Sequence, residues 1–226
     1  MKEITNYFSD EDKIIIENAI AHSEKHTSGE IVPVIANASG QYSGAKYIFG
    51  MLFSLLTLII VWLSIQNFFP DEDQWGNEIV TVISLRWVLV VILLGFIIGT
   101  IIASVFPDLK LLFTSKKEMK EEVERSARVA FNQFRVRGTE GATGVLIFVS
   151  VYEQSVRVLG DDAINRKLKQ QDWEEVCDLV VQGMKSNKPT EKLVGAIKLC
   201  GQLLRQHFPS EENDENELPN KLYLLD

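Results

Sequence analysis

The chain has 226 residues, 46% of them hydrophobic, and a formal net charge of −8, so it is long enough for one ordinary domain plus an accessory segment. The acidic balance, with no basic face interleaved with aromatics, argues against nucleic acid as a partner. Cys177 and Cys200 stand among apolar neighbours without the tight spacing of a zinc site or a redox pair, so they read as two buried thiols, and nothing calls for an oxidising compartment.

In chain order, Ser9 is the expected N-cap of an amphipathic helix that ends near Lys25, with Asp10, Glu11 and Asp12 in its first turn. Ser28-Gly29 breaks it, and EIVPVIA, Glu30 to Ala36, reads as a short strand closed by the turn residues of NASG. Two apolar runs follow, Tyr47 to Phe69 and Trp87 to Phe106, neither containing a charged residue. Each is about 20 residues, enough as a helix to span a hydrocarbon core of roughly 30 Å, and neither has the polar stripe of a soluble core helix. The expectation is a transmembrane hairpin. The first run begins too far into the chain for a cleavable signal peptide.

Between the runs, PDEDQWGNE carries four acidic residues and no Lys or Arg, whereas Lys46, Lys110, Lys116, Lys117 and Lys120 flank the hairpin on its other side. Basic loops stay cytoplasmic, so the short loop faces outward and both termini lie in the cytoplasm, with Lys110, Lys116, Lys117 and Lys120 set against anionic lipid. Arg86 weakens this contrast without reversing it, and Trp75 and Trp87 sit at interfacial depth.

After the hairpin, FPDLKLLFTSKK serves as a stalk, paired with SGQYSGAK before it. A helical period returns with Met119, Val123, Ala127, Ala130, Phe131 and Phe134 on one face. GVLIFVSV reads as a strand buried on both faces and QSVRVLG as its half-buried partner, joined by a tight turn at YEQ. Two further helices are expected, one over DWEEVCDLVVQGMKS and one opening at Pro189-Thr190 and stopped by Pro209. The acidic SEENDENELPN segment reads as a solvated loop, with Leu218-Pro219 available to dock on the domain.

The expected order is α, β, hairpin, α, β, β, α, α, in four sections: 1–45 and 107–209 as two parts of one α/β domain, 46–106 as the transmembrane hairpin with an outer loop over 70–86, and 210–226 as the acidic tail. The first helix and strand are too few residues to bury a core alone, so the two flanking parts must complete each other.

Several phrases together resemble the TPM domain family, in its bacterial integral-membrane branch: TSGEIVPVIA, FRVRGTEGATGVLIFVSVYEQSVRVLGDDAI, Trp173 with the helix after it, and LCGQLLRQHFPSEENDENELPN. The resemblance covers essentially all of the chain outside the hairpin. It implies a small Rossmann-like α/β/α sandwich, here interrupted by the two-helix hairpin. Related domains are linked to photosystem repair, acid phosphatase activity, calcium binding and receptor assistance, and the resemblance implies no single one of these. The split, cytoplasmic arrangement expected here departs from the exported, end-anchored form common in the family.

Asp161 and Asp162 are the candidate metal ligands. They follow Gly160 at a strand end and offer hard oxygens of the kind Ca²⁺ and Mg²⁺ take, with Glu30, Asp214 and Glu215 as conceivable further ligands. The alternative is that Gly-Asp-Asp makes a turn and caps the next segment. Arg135 and Arg137, before the Gly-rich GTEGATG, are the cations best placed to meet phosphate, although this is not a P-loop. His22 and His26 share a helix face without an evident third ligand, and His207 ends its own helix. Glu211, Glu212, Asp214, Glu215 and Glu217 lack the spacing and central Gly of an EF-hand. Two functions stand: a membrane-anchored interaction or assistance module contacting other membrane proteins, or a divalent-metal-dependent phosphatase-like hydrolase.

Overall fold

A computed structural model of the protein describes residues 8–68, 84–186, 188–210 and 216–225. The chain divides into two compact units, residues 1–40 with 117–226, and residues 41–116.

In the first unit, α1 (Asp10–Glu24) opens with the expected cap, Ser9 and Asp12 bonding each other's backbone in a capping box. The strand β1 (Glu30–Ala36) follows, buried along its whole length. The helix α5 (Lys116–Gln133), β2 (Gly144–Ser150), β3 (Ser155–Gly160), α6 (Asp162–Lys167), α7 (Glu174–Lys185), α8 (Pro189–His207) and β4 (Tyr223–Leu225) complete it. The sheet order is β3-β2-β1-β4. β1 pairs in parallel with β2 from Glu30↔Gly144 to Ala36↔Ser150, and with β4 from Val34↔Tyr223 to Ala36↔Leu225. Pro33 has no N–H to give, and the β4 ladder begins one residue beyond it. β3 turns back antiparallel on β2 through the 151–154 turn, where Gln154 takes a left-handed φ of 47°.

Period-2 alternation sends the side chains of β1 and β2 into two cores. On one face, Ile31, Ile35, Val145, Ile147 and Val149 pack with Ile16 and Ile20 of α1, Val176 of α7, Leu193 and Ile197 of α8, and the buried Trp173. On the other, Val32, Val34, Leu146 and Phe148 meet Val123, Ala127 and Ala130 of α5, and Leu218 and Tyr223 of the tail. Burial on both faces explains why β2 reads as an unbroken apolar run in sequence.

The second unit is α2 (Ser43–Phe68), α3 (Leu85–Val105) and α4 (Asp108–Phe113). The first two are long and apolar enough to cross a membrane. At 1.5 Å per residue, 26 and 21 residues reach about 39 and 31 Å. They pack through small residues: Gly95, Gly99 and Ala103 are buried, and a Cβ on Gly99 would meet the Cα of Gly50 at 2.9 Å. The Ser54 hydroxyl donates to the Ile92 carbonyl at 2.9 Å, a polar bond inside an otherwise apolar pair. Their outward apolar side chains stay exposed, Leu56 at 53% and Leu93 at 60% among them.

Three short elements were not in the expected order. The segment expected as a stalk contains α4, nucleated after Pro107. Beyond the loop expected over 210–220, the tail contributes the edge strand β4 and buries Leu222. A short helix, α6, follows the acidic pair and is the segment that Asp161 caps. The outer loop with Trp75, and Glu211, Glu212, Asp214 and Glu215 of the tail, lie outside the described residues.

Candidate functional site

Asp161 and Asp162 stand at the carboxyl end of β3, but β3 runs against β2, so they lie at the amino end of the parallel strands. Open α/β sheets bind ligands at the opposite end. The turn is tight, since a Cβ on Gly160 would meet the Ile164 side chain at 2.3 Å. Asp161 is the N-cap of α6, and its Oδ1 accepts the Asp162 N–H at 2.8 Å. Its side chain is 3% exposed, and Oδ2 is buried without a hydrogen-bond partner.

Arg137 faces the pair, with its Nη2 3.2 Å from Asp162 Oδ2 and its Nε 3.9 Å from Asp161 Oδ1. It reaches there because α5 ends at Gln133, Arg135 takes a left-handed φ of 53°, and a 3₁₀ turn follows over Val136–Gly138. Arg135 itself is exposed. Glu30 is buried and spends Oε1 on the Glu217 N–H at 3.1 Å, while Glu217 Oε2 accepts the Glu140 N–H at 2.8 Å. These carboxylates pin the 138–143 loop and the tail to the start of β1. Among the described residues, no three His, Cys, Asp or Glu side chains gather at metal-binding spacing.

His22 and His26 are exposed with ring centroids 6.3 Å apart. The carbonyl of His207 accepts a hydrogen bond from Lys167 Nζ at 2.7 Å. Cys177 and Cys200 are free thiols, and burial pushes both upward in pKa.

Two groups of side chains emerge that the sequence did not single out. At the carboxyl ends of β1 and β2, Glu153 Oε1 accepts the backbone N–H groups of Ser39 at 2.9 Å and Gly40 at 3.2 Å. Ser39 Oγ donates to the buried Ser150 Oγ at 2.8 Å, and Ser150 Oγ donates to Glu153 Oε2. The Ser126 hydroxyl of α5 donates to the Ser39 carbonyl at 3.0 Å. This hydroxyl and carboxylate cluster occupies the end where such sheets take ligands, and it ties the loop leaving β1 to the β2–β3 turn.

The second group centres on Glu24, at the end of α1. Its Oε1 accepts the Ile31 N–H at 2.7 Å and its Oε2 is buried without a partner. Burial pushes its carboxyl up to about 8, the Ile31 N–H opposes this, and the charge of Glu30 adds to it. The first group joins residues more than a hundred positions apart, and in the second Glu24 meets Ile31 seven positions on, across the break between α1 and β1.

No family model matches the chain, and no curated protein does. One solved structure that it resembles is the NMR structure of the BA42 protein from the psychrophilic bacterium Bizionia argentinensis, with 18% identity, 99% of each chain covered and a TM-score of 0.56. The likeness is one of fold.

Proposed function

We propose that the protein is a membrane-anchored interaction or assistance module, an α/β domain held at the cytoplasmic face by a transmembrane hairpin. The observation that carries it is the β1–β2 pairing. The two strands are hydrogen-bonded neighbours, yet both apolar helices lie between them in sequence. Such pairing requires both flanks of the hairpin to lie on one side of any membrane it crosses, and the lysine-rich flanks make that side cytoplasmic. The exposed apolar surface of α2 and α3 supports insertion, because a soluble core helix buries such side chains. The sandwich is of the Rossmann-like TPM type on this reading, with helices on both sheet faces and β3 as an exposed edge offered to partners.

The test combines alkaline carbonate extraction with a photocrosslinking residue in place of Ser155 on β3. The expected outcome is a protein that resists extraction and forms discrete adducts with other membrane proteins. Release by carbonate retires the anchor, and an adduct-free edge retires the module.

The buried, unpartnered Oδ2 of Asp161 favours a second reading, a divalent-metal-dependent phosphatase-like hydrolase in which Asp161 and Asp162 hold Ca²⁺ or Mg²⁺ and Arg137 meets phosphate. Asp161→Asn with Asp162→Asn preserves the helix cap while removing both charges. Calorimetric titration of the solubilised protein with either ion is expected to saturate for the wild type and fail for the double variant. An unchanged isotherm in the variant removes the pair as ligands.

A further inference from the structure

We infer that α4 and the adjoining end of the α2–α3 hairpin form a collar that binds anionic phospholipid headgroups. The inference rests on the membrane-anchored reading and names the lipid partner of that anchor. Pro107 turns the chain out of α3, and α4 folds back onto α2, where the Phe113 ring lies 5.9 Å from Phe49. At the same end Tyr47 stacks on Phe96 with centroids 6.4 Å apart. Tyr47, an amphipathic ring at one end of an apolar helix pair, is the kind of side chain that anchors a membrane interface.

A six-residue helix is too short to hold itself together, since helix nucleation is costly and isolated helices below about 12–15 residues are marginal in water. Leu112 nevertheless points outward at 76% exposure, the highest among the exposed large hydrophobic side chains, and Phe106 before the turn is 59% exposed. This apolar surface continues that of α2 and α3, so one occupant, the bilayer, covers all of it.

Charge selects the lipid. The described residues at this end carry Lys46, Lys110 and Lys116 against a single acid, Asp108, in a chain whose net charge is −8. Lys46 Nζ sits 4.9 Å over the Tyr47 ring, which holds a cation at the level of the aromatics. Leu112 and Phe106 enter the acyl boundary while the lysines meet phosphate above it, and zwitterionic lipid lacks the net charge to reward them.

The test is native mass spectrometry of lipids retained by the full-length protein from nanodiscs of mixed phosphatidylcholine and phosphatidylglycerol. Phosphatidylglycerol is expected to be enriched about threefold or more over its bulk fraction. Lys46→Gln with Lys110→Gln and Lys116→Gln is expected to return retention to the bulk ratio. Leu112→Ser, which keeps every charge, is expected to reduce total retained lipid. Bulk-proportion retention by the wild type, or enrichment that survives the triple substitution, overturns the collar. Protein that carbonate strips from the membrane overturns the anchor and the collar together, whereas anchored protein without enrichment overturns the collar alone.

Discussion

Glu24 is a carboxyl whose ionisation the fold opposes. Its carboxyl is pushed up to about 8 by burial, with Glu30 of β1 and Cys200 of α8 near it and only the Ile31 N–H in its favour. A folded-state pKa above the ordinary carboxylate value means that the native protein holds a proton the unfolded chain has lost. The resulting stability is fully present below about pH 4.5 and is lost as pH rises through about 8. Glu24→Gln keeps the neutral shape, so the melting temperature of the variant relative to wild type is expected to rise by a few °C, roughly 2–4 °C per kcal/mol, between pH 5 and 8.5. Thermal melts across that range check it, and parallel curves for the two proteins count against a buried, protonated Glu24. Some residue roles were legible: Ser9 as a cap and Asp161 as a cap both follow from short local patterns. Glu24 and Glu153 were not, because their environments are assembled from distant parts of the chain, as with Ser39 and Glu153, 114 positions apart.

Among the elements, those with a full period of burial are visible in sequence and those held by docking are not. α1, α5, β3, α7 and α8 each bury a face and so imprint it as a 3.6 or 2 repeat, while β1 and β2, buried on both faces, read as nearly continuous apolar runs. β4 is three residues long and α6 six, too short for any period, and each exists because a neighbour supplies its partners. For β4 that neighbour is β1, together with Phe134, whose ring centroid lies 4.2 Å from that of Tyr223. The loop between β1 and α2 is similarly held, here by the Glu153 carboxylate. Glu153→Gln keeps the shape but gives up the charge on two N–H bonds and one hydroxyl bond. The expected cost is about 1–3 kcal/mol. Hydrogen exchange at the Ser39 and Gly40 amides is expected to quicken while exchange in β2 barely changes. Equal acceleration throughout the sheet points instead to a global role for Glu153.

At the scale of the whole molecule, the α/β unit closes without residues 41–116. The Ser39 carbonyl is hydrogen-bonded to Ser126, nine residues along α5 from Lys117, a helical rise of roughly 14 Å. A flexible linker of about ten Gly and Ser residues spans some 17 Å on average and is sufficient. Replacing 41–116 by such a linker is expected to give a soluble protein with the same strand pairing, checked by amide NMR across β1 and β2. Loss of those pairings on excision counts against an independently folding unit. Sequence reasoning reached the interrupted domain through an argument about quantity, since one helix and one strand cannot bury a core. It could not supply strand direction, and so it set the acidic pair at the ligand-binding end of a sheet that in fact runs the other way at β3.

The central strand β1 also has a place in time. A ribosome delivers it first, then both apolar helices, and only afterwards its two neighbours, β2 and then β4. Until then β1 presents open edges on both sides, the state in which strands aggregate. Both apolar helices therefore leave the ribosome before the sheet can close, and β1 waits unpaired until β2 and then β4 follow.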